Sequence, residues 1–139
     1  MFKGLLNKAV NKYSGKKDFL EAAAAAGVLA ARANGIDDNE IAALVDTISS
    51  MPALTSNYSV PEIEEEVEKA INRSKTAVGR AGLRREVTDV ARKDITLRED
   101  VFLVAVEVAS GDGIDAKEEA VLRDIANILS VNYDKLAAA

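Results

Sequence analysis

Apolar and polar positions alternate along the chain with the period of a helix, not of a strand. Residues 2–14 place Phe2, Leu5, Leu6, Ala9, Val10 and Tyr13 on one side and Lys3, Lys8 and Lys12 on the other. That spacing predicts a short basic amphipathic helix, ended by Ser14-Gly15, which either docks on the rest of the fold or touches anionic lipid or a partner. Residues 17–33 run through Ala22 to Ala26. Alanine is the strongest helix former and lets neighbours approach closely, so this segment is expected to be a central buried helix. It stops at Asn34-Gly35, a pair suited to the left-handed backbone of a helix C-terminus. Asp37-Asp38-Asn39-Glu40 then opens a helix over about 37–50, with Asp37 as cap, Glu40 closing a capping box, and Ile41, Leu44, Val45 and Ile48 as its apolar face.

Met51-Pro52 to Ser59 reads as a loop. Ser59-Val60-Pro61-Glu62 is a helix start and leads into 60–73, acidic on one side through Glu62, Glu64, Glu65, Glu66 and Glu68. The sign then reverses: 69–98 holds nine Lys/Arg against three acids, and Gly79 and Gly82 are expected to break or bend it. A charge run of this kind is either a solvated helix face or a basic docking surface for an acidic partner or membrane. Thr96-Leu97-Arg98-Glu99 has the form of a further capping box, before the nearly all-apolar 101–109. β-branched residues there would also suit a strand. The box, the match to the alanine-rich segment and the lack of a partner strand favour a buried helix. Residues 116–130 form an amphipathic helix with Ala120, Val121, Leu122, Ile125, Ile128 and Leu129 inward, and 132–136 a terminal turn or helix. The pattern predicts an all-α bundle of about seven helices: an N-terminal basic helix over 1–16, then one helical domain over 17–139.

Two stretches repeat. Set 78 residues apart, 27–49 and 105–127 agree at nine of 23 positions, and the common core reads Gly-Ile-Asp-x-x-Glu-x-Ala-x-Leu-x-Asp. The chain is therefore expected to contain two copies of a helix–acidic turn–helix unit. Locally each turn is explained by capping: Gly ends one helix, Ile packs below, Asp caps the next and Glu closes the box. Were the copies to pack about a pseudo-twofold axis, Asp37, Asp38, Glu40, Asp112, Asp115 and Glu118 would form one acidic patch, whose mutual repulsion a cation or basic partner would relieve.

Composition narrows the chemistry. The chain has neither cysteine nor histidine, which removes thiol chemistry, Cys/His zinc sites and a histidine base. Any metal would be held by oxygen, so calcium, magnesium or manganese is expected ahead of zinc. Residues 111–118 do not make an EF-hand: with Gly113 as the loop glycine, the first ligand position falls on Val108, which cannot coordinate. A net charge of −5 gives no general drive toward nucleic acid. No apolar run is long enough to span a bilayer and no signal-peptide core is evident, so an intracellular, soluble protein is expected. There is no phosphate loop or nucleophile elbow, which argues against an enzyme and against a small-molecule substrate.

The paired motifs Asn34-Gly35-Ile36-Asp37-Asp38-Asn39-Glu40 and Gly111-Asp112-Gly113-Ile114-Asp115-Ala116-Lys117-Glu118, each after a buried Ala/Val helix, resemble the TerB (tellurite-resistance, TerB-like) family. The resemblance covers roughly 17–130, and includes the chain length, the basic N-terminal helix and the charged helical insert. It implies an all-helical bundle with an acidic, divalent-metal-binding face, a cytoplasmic role in resistance to tellurite and related stresses, and work beside a membrane-embedded TerC-type partner, peripheral to the inner membrane. Asn34 stands where an Asp-Gly pair is common in the family, so the first turn should be the weaker source of ligands. A non-enzymatic metal-binding module and an interaction scaffold, with the acidic turns acting only as caps, both remain open on this reading.

Overall fold

A computed structural model describes Phe2, Tyr13, residues 16–111 and residues 113–138. Its elements are α1 (Lys17–Ala31), a 3-10 turn (Arg32–Asn34), α2 (Ile41–Ser49), α3 (Pro52–Thr55), α4 (Val60–Ser74), α5 (Ala77–Asp89), α6 (Ile95–Ala109), α7 (Ala116–Leu129) and α8 (Tyr133–Ala137). The described residues form no strand; a single isolated bridge joins Gly111 and Gly113. The all-helical expectation holds. The helix expected over 2–14 lies outside the described residues, apart from Phe2 and Tyr13.

α1 is the axis of the bundle. Ala22 to Ala26 are all buried, as are Phe19, Leu20, Val28 and Ala30. Methyl-sized side chains on every face let α6 lie along one side while α4, α5 and α7 close the others. At Gly27 an added Cβ would lie 3.1 Å from Ile48 Cδ1 and 3.4 Å from Val108 Cγ2, so α2 and α6 meet α1 at that glycine. α6 supplies Val101 to Val106, all buried, and is helical throughout despite its β-branched content. α4 and α7 follow the amphipathic rule: Ile63, Val67, Ala70 and Ile71 turn inward from one, Leu122, Ile125, Ala126 and Leu129 from the other.

Phe2 and Tyr13 tie the N-terminal end to the core. The Phe2 ring packs edge-on against Phe102 and Tyr133, with centroids 5.9 and 5.6 Å away. Tyr13 stacks on Phe19 and donates its hydroxyl to buried Asp100 at 2.5 Å. Burial and that carboxylate push the Tyr13 phenol far above its ordinary range.

Several local expectations need correction. α2 begins at Ile41, not Asp37, because residues 38–40 form a turn before the first α-helical bond, Leu44 N to Glu40 O. Pro52 starts a short helix inside the expected loop. Gly79 and Gly82 do not break α5, which runs through both. They are where α5 crosses the end of α4: a Cβ on Gly79 would sit 1.7 Å from the Arg73 carbonyl oxygen. α6 starts at Ile95 with Asp94 at the cap position and no side-chain cap bond, so the Thr96–Glu99 box is not formed. Thr96 is already inside the helix, where its hydroxyl cannot serve as a cap. On α7, Ala120 is exposed, not inward. On α4, Glu66 leaves the acidic side and is buried, held by Lys17 and Lys69.

Candidate functional site

The two repeated turns converge. The first leaves the 3-10 turn at Asn34, passes through Gly35 with φ +82°, and enters α2. The second leaves α6 at Ser110, passes through Gly113 with φ +89°, and enters α7. Both glycines occupy the left-handed region that an L side chain adopts only at a cost. The Asn34 side-chain amide donates to Asp115 Oδ2 at 2.8 Å, across 81 positions of sequence. α1 and α6 run side by side and end at the same end of the bundle, and this bond joins the turns that extend from those ends.

Each turn carries a reciprocal cap. In the second, Asp115 Oδ1 accepts from the Glu118 amide at 2.8 Å and Glu118 Oε1 accepts from the Asp115 amide at 3.0 Å. In the first, Asp37 Oδ1 accepts from the Glu40 amide at 3.0 Å and Glu40 Oε1 from the Asp37 amide at 3.2 Å. The same pair of bonds thus forms in both turns, although only Asp115 directly precedes a helix. Asp115 is held below the usual carboxylate range, first by the Glu118 amide and then by the Asn34 side chain.

Between the turns lies a hollow of about 470 Å³. Ala31, Leu44, Val108 and Ala109 line its apolar part, and Glu40, Asp115 and Glu118 stand around it with Gly35, Gly111 and Gly113. Asp38 is on the other side of α2, where it lines a second hollow with Asp46, Glu64 and Glu68. Asp37 lines neither, and Asp112 is outside the described residues. The six sequence candidates therefore divide: Glu40, Asp115 and Glu118 share one hollow, Asp38 faces away from it, and Asp37 stays in its own cap. Among the described residues no three carboxylates stand close enough together to hold a metal ion. Donor atoms are present nonetheless. Asp37 Oδ2, Glu40 Oε2 and Glu118 Oε2 accept no hydrogen bond among the described residues. They are hard oxygen donors of the type calcium, magnesium and manganese take.

Asn34 was not among the candidate residues read from the sequence. Its amide nitrogen donates to Asp115, so Asn34 acts as the clasp between the turns. The signal available was its position: it corresponds to Asp112 in the 78-residue register, and an amide there can bond a carboxylate where an aspartate would repel it. Thr47 and Ala43, which also line the hollow, carry no pattern that singles them out.

Compared with protein-family models, with curated proteins and with solved structures, the chain matches none.

Proposed function

We propose that this chain is a TerB-like, non-enzymatic tellurite-resistance and stress-response protein, built from two helix–acidic turn–helix units whose facing turns bind one divalent cation. The observation that carries this reading is the Asn34–Asp115 bond, which brings the two turns to one place. Glu40, Asp115 and Glu118 then surround a common hollow. Carboxylates gathered around one hollow repel one another, and a cation between them would relieve that repulsion. Calcium, magnesium or manganese fits such donors better than zinc.

The test is calorimetric titration with each cation, on the native chain and on Asp115→Asn. Asparagine still caps a helix, so the fold is kept while one charge is lost. Saturable one-to-one binding that weakens at least about tenfold in the variant supports the reading; an absence of saturable heat with every cation contradicts it.

A second reading rests on the reciprocal caps. They already employ one oxygen of every carboxylate in the pair of boxes, so the turns would serve as caps alone. The apolar floor of the hollow would then belong to a scaffold that docks on a membrane-bound, TerC-type partner. Failure of the titration, with retention of a membrane-protein partner in detergent extracts, favours this reading.

A further inference from the structure

A second hollow, of about 200 Å³, lies where α1, α5 and α7 meet, and its walls have the opposite sign. Arg32, Arg80 and Arg84 line it, with Asp124 as the one carboxylate, over Leu29, Ala33, Val121 and Ile125. Two of the arginines are fixed by a single residue. Ser74, fully buried at the end of α4, accepts from Arg32 Nε through its Oγ at 2.9 Å, and from Arg80 Nη1 through its carbonyl oxygen at 2.8 Å. Ser74 is itself fixed, since its hydroxyl donates to the Ile71 carbonyl at 2.6 Å. The guanidinium groups of Arg32 and Arg80 are thus held next to one another, half-buried, and neither has a carboxylate within ion-pair range among the described residues. Arg84 differs: it is paired with Asp124.

Two like charges anchored side by side by neutral oxygens repel, and each keeps unused N–H donors. Guanidinium forks match the tetrahedral oxyanion of a phosphate, and the order already imposed by Ser74 lowers the entropy lost on binding. The apolar floor beside them suits the organic part of a phosphate ester, not a bare ion.

We propose that this hollow is a binding site for a small phosphomonoester, with its phosphoryl oxygens on Arg32 and Arg80 and its apolar substituent on Leu29, Val121 and Ile125. Asp124 limits affinity, because it lies beside the anion and occupies Arg84. The site shares no lining residue with the hollow between the acidic turns and does not depend on their role.

The probe is phenyl phosphate, titrated at fixed ionic strength and followed by amide chemical shifts, with inorganic phosphate in parallel. Saturable shifts around Arg32, Arg80 and Val121 are expected, with phenyl phosphate tighter than inorganic phosphate. Arg80→Gln should weaken binding about tenfold or more, since a charge-assisted bond is lost, while Arg92→Gln, an exposed arginine remote from Ser74, should leave it unchanged. Asp124→Asn should tighten binding severalfold, a gain that misfolding cannot imitate. Equal weakening by Arg80→Gln and Arg92→Gln, inorganic phosphate binding as well as phenyl phosphate, weaker binding in Asp124→Asn, or no saturable shift at all would each overturn the proposal.

Discussion

Asn34 decides more about this molecule than its size suggests. One neutral amide joins the two acidic turns, because it meets Asp115 as a donor. Asn34→Asp would set two carboxylates against each other. Its expected outcome is a lower thermal midpoint in the metal-free protein, regained on adding calcium or magnesium; differential scanning calorimetry with and without the cation reads both. Asp115 also carries a pH signature. Its folded carboxyl is held low, so its contribution to stability is complete above the ordinary aspartate value of about 3.9 and is lost as pH falls through the folded value. Glu21 has the opposite sign. Burial, then the charges of Glu66 and Glu86, hold it above the usual carboxylate range, against Lys17 and Lys69. The folded state then binds more protons than the unfolded one, and stability falls as pH rises through and above the ordinary glutamate range. Glu21→Gln is expected to raise the thermal midpoint at pH 7, with the gain vanishing near pH 4, as thermal melts across that range would show.

At the scale of elements, helix starts with the same sequence form behave differently. Ser59 caps α4 with the full reciprocal box, Glu62 amide to Ser59 Oγ and Ser59 amide to Glu62 Oε1. Thr96 and Glu99 have the same spacing and make no box, because α6 begins earlier, at Ile95. Ser59→Ala should therefore cost about 1 kcal/mol, and Thr96→Ala should stay within about 0.5 kcal/mol of the native chain; urea denaturation distinguishes them. The glycines of α5 give a stronger test. Gly79→Ala places a methyl on the Arg73 carbonyl, which cannot move without separating α4 from α5. A loss of about 2–3 kcal/mol is expected, in the upper part of the range for overpacked interfaces. Sequence showed the helices themselves because their apolar period is local. It did not show why Gly79 and Gly82 are glycine, since that depends on the end of α4 crossing α5, a contact no local period records. The short Pro52 helix was missed for a related reason: four residues are too few to display a period.

Over the whole molecule, charge gathers in two neighbouring hollows of opposite sign that share no lining residue. The acidic turns sit at the ends of α1 and α6, and the arginine hollow lies between α1, α5 and α7. Much of the basic 69–98 stretch is engaged within the fold: Arg73 with Glu86, Arg84 with Asp124, Lys93 with Asp18, and Arg98 with the carbonyls of Leu129 and Ser130. A count of charges along the chain therefore overstated its free basic surface, and left unseen that Arg32, from outside the stretch, joins Arg80. The acidic turns were more legible. A repeated Gly-Ile-Asp-x-x-Glu identified both turns and both reciprocal pairs of bonds, of which only the Asp115–Glu118 pair caps a helix. The division of Asp38 from Glu40 by α2 depends on where that helix starts, and the sequence placed that start four residues too early.

The central claim is that two turns form one cation site. Manganese tests it most directly, because a single paramagnetic ion broadens the amide signals of every residue near it. Substoichiometric manganese is predicted to broaden Gly35 and Gly113 together, with Glu40 and Glu118, and to spare the Asp46–Glu64 side of α2; excess calcium should restore all four. Broadening of one turn without the other, or diffuse broadening across every acidic surface, would contradict the account.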